Sequence, residues 1–214
     1  MIMVTAAREI LLSKKRSSDI KLAGALLAFA GIEFWLVNSV SEAYYPNYSV
    51  HSNAISDLAA IGTRTTVIEG TAGLLWGLCW LLGAYFLFRN TGKKNLMVLN
   101  LLPGVGVLLA ILSPENVNVI VHSIGAVIAF VPGALAAILS YKIIDSQFKY
   151  FSVALGTISL IAVVTEFGAY YSPIVQQTIG PGGWERMIVY PLLIWQIVLG
   201  GYLLGVASDR GGNP

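Results

Sequence analysis

Residues 68–88 read IEGTAGLLWGLCWLLGAYFLF, a run in which Glu69 is the only charge. About 20 mostly apolar residues in a helix cross the hydrocarbon core of a bilayer, where the backbone must satisfy its own polar groups. This stretch meets that requirement, and so do residues 20–40, 95–113, 117–141, 149–172 and 184–207. The composition agrees: 56% of the 214 residues are hydrophobic and 11% are charged, where a soluble domain has about 25% charged. Mean hydropathy is +0.74. The expected fold class is therefore all-α: a polytopic integral membrane protein built as a six-transmembrane-helix bundle.

Lysines and arginines set the expected orientation. With both termini cytoplasmic, the inner side receives Arg8, Lys14, Lys15, Arg16, Lys21, Arg89, Lys93, Lys94, Lys142, Lys149 and Arg210, and the outer side only Arg64 and Arg186. This is the positive-inside pattern. Residues 1–19 read as a cytoplasmic segment, in which 3–13 (MVTAAREILLS) suits an interfacial helix, and not as a cleavable signal peptide. Residues 20–207 form the membrane domain, and 208–214 a loose cytoplasmic tail. Pro103 and Pro132 fall inside spans three and four, and Gly201–Gly205 is a GxxxG match. A net charge of +2 gives no footing for nucleic acid. The single Cys79 excludes an intrachain disulfide.

Immediately before the second span lies the longest polar interruption, Tyr44–Gly62, YYPNYSVHSNAISDLAAIG. Ser52 or Asn53 can cap a short helix over 54–61, ended by Gly62, with Ile55, Leu58, Ala59 and Ile61 on its apolar face. Asn47-Tyr48-Ser49 is a glycosylation sequon.

Placed on this topology, the ionisable residues of the spans gather in the outer half: Glu33, Glu69, His122, Glu166, Glu185 and Arg186. The segment 41–67 adds His51, Ser52, Ser56 and Asp57. Groups of this kind are costly in a membrane and are functional candidates. Gathered at one depth, they point to an outward polar cavity lidded by 41–67. The bland alternative is a set of rim charges, each reaching water alone, which would suit Glu42, Glu115 and Arg64. The Gly180-Pro-Gly-Gly run reads as a turn delivering span six, after which Arg186 calls for a carboxylate partner (Asp57 or Glu166) or a lipid phosphate. His122 reads as a helix-to-helix partner of Glu166 or Asp57.

Two chemistries draw on residue types present at the cavity. His51 and His122 with carboxylates can supply zinc ligands, which number three or four, but no paired-histidine motif is present and no metal is assigned. Ser52, Ser56, Ser113 or Ser123 with His122 and Asp57 contain the types of a nucleophilic triad, without a nucleophile elbow. The sequence specifies no cofactor and leaves open whether the protein is an enzyme. The first expectation is binding of a lipid headgroup or small polar ligand, with Arg186 and Arg64 meeting anionic groups. The second is an intramembrane hydrolase or transferase using His122 and carboxylates. The third is a subunit of a larger membrane assembly. Expected partners are membrane lipids or another membrane protein.

The core Ser52-Asn53-Ala54-Ile55-Ser56-Asp57-Leu58, the Ser113-Pro114-Glu115 turn, His122 and the run Gly182–Arg186 together resemble a six-span family common in archaea, the domain of unknown function 998. The resemblance spans roughly 20–207, and Ala59 stands where the family core has glycine. It implies the topology above and an archaeal plasma membrane; it implies no activity.

Overall fold

The computed structural model describes residues 17–89, 93–169 and 172–208. Six long helices dominate: α1 (Ser17–Tyr44), α2 (Thr66–Phe88), α3 (Lys94–Leu112), α4 (Val119–Leu139), α5 (Phe148–Ala169) and α7 (Gly180–Ser208). A short α6 (Pro173–Gln177) precedes the last. Each of the six is long and apolar enough to cross a membrane, and no strand occurs among the described residues. The all-α six-helix bundle read from hydropathy is the fold. The interfacial helix expected at 3–13 and the tail beyond Ser208 lie outside the described residues.

The helices pack in chain order, each on its predecessor, and α7 closes back on α1 to complete a ring; α4 also touches α7 across the middle. Small residues make the seams. A Cβ on Gly24 would lie 2.8 Å from the Gly200 carbonyl oxygen, and one on Gly200 2.6 Å from that of Gly24. A Cβ on Gly125 would lie 2.6 Å from Ala110 N, and Gly106 faces the backbone of Ala129 as closely. In lipid, close backbone approach replaces the hydrophobic drive that packs helices in water. The GxxxG pair points elsewhere: a Cβ on Gly201 or Gly205 would meet nothing within 4 Å.

Phe34, Trp76, Trp80, Phe130 and Trp195 fill the ring, with Phe34 and Trp76 stacked at 4.3 Å. Their indole N–H groups need acceptors in a dry core. Trp76 donates to Gln196 Oε1 at 2.8 Å and Trp195 to Ser140 Oγ at 3.3 Å. Gln196 is fully buried and carries its amide into the apolar core. The Asn100 amide bonds its own helix at Leu96. At one end of the ring Arg89 grips Asp19 through two bonds of 2.7 and 2.9 Å, which raise the Arg89 pKa above its ordinary value.

At the opposite end the α1–α2 connection covers the bundle. It spans residues 45–65, shorter than the expected 41–67, because α1 continues to Tyr44 and α2 begins at Thr66. Helix stops where Pro46 biases Tyr45 away from helical geometry. The helix expected over 54–61 is reduced to one 3-10 turn, Ser56–Ala59. Ile55, Leu58 and Ala59 are buried as expected, but Ile61 is exposed. Gly180-Pro-Gly-Gly is likewise not a free turn: it is the first turn of α7, where proline is favoured because no N–H bond is lost.

Candidate functional site

Carboxylates seat this lid by its backbone. The N–H groups that lead into its single turn have no partner within it, and carboxylates take them. Asp57 Oδ2 accepts from Ala54 N at 3.0 Å and from the Asn53 amide at 3.1 Å. Glu185 Oε2, reaching from α7, accepts from Ile55 N and more weakly from Ser56 N. The next residue of α7 holds the lid by its other polarity. Arg186 Nη1 donates to the carbonyls of Gly182 (2.7 Å), Asn53 (3.2 Å) and Val50 (3.4 Å). Glu185 thus binds lid N–H groups and Arg186 binds lid carbonyls, which makes the pair a two-signed clamp.

The remaining Arg186 donors are also committed. Nη2 reaches Glu42 at 2.5 Å and Tyr48 at 2.6 Å, and Nε reaches Glu42 at 3.2 Å. Tyr48 passes its own proton to Ala54 O at 2.9 Å; burial pushes this phenol's pKa above its ordinary value, with Arg186 opposing. Two expectations are corrected here. The partner of Arg186 is Glu42, neither Asp57 nor Glu166, and Glu42 is not a rim charge. With every donor of Arg186 occupied, an anionic headgroup finds no free guanidinium there.

Contact with α7 is backbone to backbone. Gly182 N donates to His51 O at 3.1 Å, and any Cβ on Gly182 would collide with Asn53 O. His51 and Ser52 lie exposed on the lid; the His51 ring covers Gly180, whose φ is +71°. On the other side, Asn116 bonds both backbone groups of Ile61 at 3.0 Å, and Ser56 Oγ donates to Glu115 at 2.9 Å. Thr65 Oγ1 ties Leu58 O at 2.6 Å. Arg64 and Asn47 are exposed, with Asn47 at φ +57°.

Beneath the lid lies a cavity in two parts. The outer part, about 330 Å³, is bordered by Ser56, Glu115, His122, Ser123, Glu166 and Glu185. The inner part, about 70 Å³, is lined mainly by apolar groups such as Phe34, Trp76 and Val107, with Glu69 on its wall. Ser56, His122, Ala126, Phe130 and Glu185 border both, so the two parts adjoin. Glu69 is 1% exposed. Its Oε1 accepts from Asn38 at 3.1 Å, whereas Oε2 meets no donor at bonding distance, although the buried Ser41 hydroxyl lies close enough to act on the carboxyl. Glu166 Oε2 is also buried and unpartnered, as is Glu33 Oε2. Glu33 lines neither part of the cavity.

His122 does not bond Glu166 or Asp57. Its Nδ1 sits 3.0 Å from Ala110 O and 3.2 Å from Ser113 O, carbonyls at the end of α3, of which Ala110 O also accepts from Ser113 N. Only an Nδ1–H satisfies them, which leaves Nε2 as the acceptor. Among the described residues no three His, Cys, Asp or Glu side chains converge as metal ligands. The expected outer set is therefore brought together in part: Ser56, His122, Glu166, Glu185 and Glu69 at the cavity, Asp57 and Arg186 in the lid's seating, and His51, Ser52 and Glu33 apart. Glu115 and Glu42 were undervalued, because their partners lie 59 and 144 residues away.

A family model described as "Protein of unknown function (DUF998)" matches residues 21–202. No curated protein matches the chain. No solved structure matches it either.

Proposed function

The chain belongs to the family of proteins of unknown function DUF998, which lends it no activity, and from the cavity we propose that it binds a small polar ligand beneath the lid. The observation that carries this reading is the outer cavity of about 330 Å³ with polar groups converging from the lid, the α3–α4 turn, α4, α5 and α7. A volume of about 300 Å³ is the lower end of small-molecule sites. Both termini are cytoplasmic in this reading, since the basic residues cluster away from the lid, so the cavity opens outward at a plasma membrane. Surrounding lipids, and carbohydrate at the exposed Asn47, are compatible with that placement.

Native mass spectrometry of the detergent-purified protein tests the reading. A small molecule should remain bound to the wild type and be lost from Ser123→Trp, whose indole fills the outer cavity. An unliganded wild type, or equal retention by the variant, would count against a cavity ligand and favour the subunit reading.

One observation favours a second reading, an intramembrane hydrolase or transferase. With Nδ1 fixed on two carbonyls, Nε2 of His122 is the free basic nitrogen, and His122 borders both parts of the cavity beside Ser56. Turnover lost in a folded His122→Ala protein would move the assignment there.

A further inference from the structure

The mouth of the outer cavity shows which medium its ligand comes from. Two residues of its wall are exposed, Val119 (53%) on α4 and Phe167 (45%) on α5. Every other described lining residue is buried or half-buried, including Ala54 and Ser56 of the lid and Pro181 and Glu185 of α7. The void therefore reaches the surface between α4 and α5, and the lid roofs it. Val119 opens α4 and Phe167 lies in the last turn of α5, so the mouth stands where these spans leave the hydrocarbon.

Outside and inside the mouth the chemistry differs. Ile124 and Val127 of α4 and Ile161 and Val164 of α5 are exposed and apolar. They carry a lipid-facing surface about two turns, on the order of 10 Å, deeper than the mouth. Within, the wall is rich in acceptors: Glu115, Glu185, and His122 with its Nδ1 committed to carbonyls. Ser56 has already given its proton to Glu115, and no lysine or arginine lines the cavity among the described residues. The mouth fixes the class of ligand, and this lining fixes its head.

We propose that the cavity takes the head of a single-chain amphiphile from the adjoining leaflet, entering between α4 and α5. This rests on the cavity-binding reading and names its ligand class. The head is uncharged and carries hydroxyl donors, as a glycerol does, and it sits among Ser123, His122, Glu115 and Glu185. The chain stays outside, in the bilayer against Val127 and Val164. Its partitioning holds the head at the mouth and raises the effective concentration there. An anionic head would enter a wall of acceptors with no cation to meet it.

Full-length protein in phosphatidylcholine nanodiscs tests this with three probes: monooleoylglycerol, oleate and glycerol. Native mass spectrometry should find one monooleoylglycerol held, about tenfold more tightly than oleate, and no glycerol held at the same concentration. Ser123→Trp should abolish the binding. A photoreactive diazirine in the monooleoylglycerol chain should mark residues 119–127 and 161–167 of the wild type, and excess unlabelled monooleoylglycerol should remove the marks. This mapping needs no variant, so the mouth stays testable if Ser123→Trp does not fold. Oleate held as tightly as monooleoylglycerol overturns the uncharged head. Glycerol held as tightly, or displaceable marks that fall outside α4 and α5, overturns the amphiphile and its lateral mouth. The cavity reading then survives if Ser123→Trp still blocks the probe that bound. No binding by any probe overturns the proposal and leaves the cavity to be judged by the ligand retained in the detergent-purified protein. Binding unchanged in a folded Ser123→Trp protein overturns both.

Discussion

Arg186 concentrates the logic of the site in one side chain. It is 7% exposed, and such a cation persists only if each donor has a partner. Here Glu42, Tyr48 and three carbonyls supply them. Glu42→Ala should lower unfolding stability by about 2 kcal/mol, below the roughly 3–5 kcal/mol for stripping a buried pair, because Tyr48 and the carbonyls remain. Arg186→Lys should not restore the loss that Arg186→Ala causes, since an ammonium cannot fan out to this set. Thermal unfolding in detergent, followed by size exclusion, reads both. The sequence marked Arg186 as needing a carboxylate, but it could not say which one. That choice is made by α1 lying against α7, a contact between residues 144 positions apart. His122 was misassigned for a related reason. Its carbonyl partners are backbone, and backbone acceptors carry no signature in the amino-acid letters.

At the scale of elements, the six spans were legible because length and apolar content are what a bilayer demands. The lid was legible as an interruption, less so as a shape. Its apolar face at Ile55, Leu58 and Ala59 is buried as the periodicity indicated. The helix is cut to one turn, whose leading N–H groups at residues 54–56 are capped by Asp57 and Glu185. Removing one of these caps is a test. Asp57→Ala should lose about 1 kcal/mol, the value of a cap, and speed amide exchange at Ala54 in hydrogen–deuterium experiments. Gly182→Ala should be far worse, since its methyl would enter the Asn53 carbonyl. The lid should then detach from α7, shown by fast exchange across 50–56 in a protein whose helices stay protected. Retained protection in Gly182→Ala would mean the seat is looser than its geometry.

On the scale of the whole molecule, the ring order was not legible. Glycines announced close approach without naming their partners, and the GxxxG pair of α7 turns out to make no contact inside the bundle. What the letters did contain was the charge asymmetry, and it predicts a topology. In a Cys79→Ala background, Arg64→Cys on the lid should react with a membrane-impermeant maleimide on intact cells. Gln147→Cys, exposed in the α4–α5 connection at the far end, should react only after permeabilisation. The reverse pattern would invert the bundle and turn its cavity toward the cytoplasm. Closure of the ring has one more consequence, which concerns the order of synthesis. Glu42 and Tyr48 emerge with the first span, but Glu185, Arg186 and the glycine seam against Gly24 arrive only with the last. Until α7 enters the bilayer, the lid lacks its clamp and α1 has a bare edge. A nascent chain therefore cannot roof its cavity early; the clamp closes only once α7 has joined the five spans made before it.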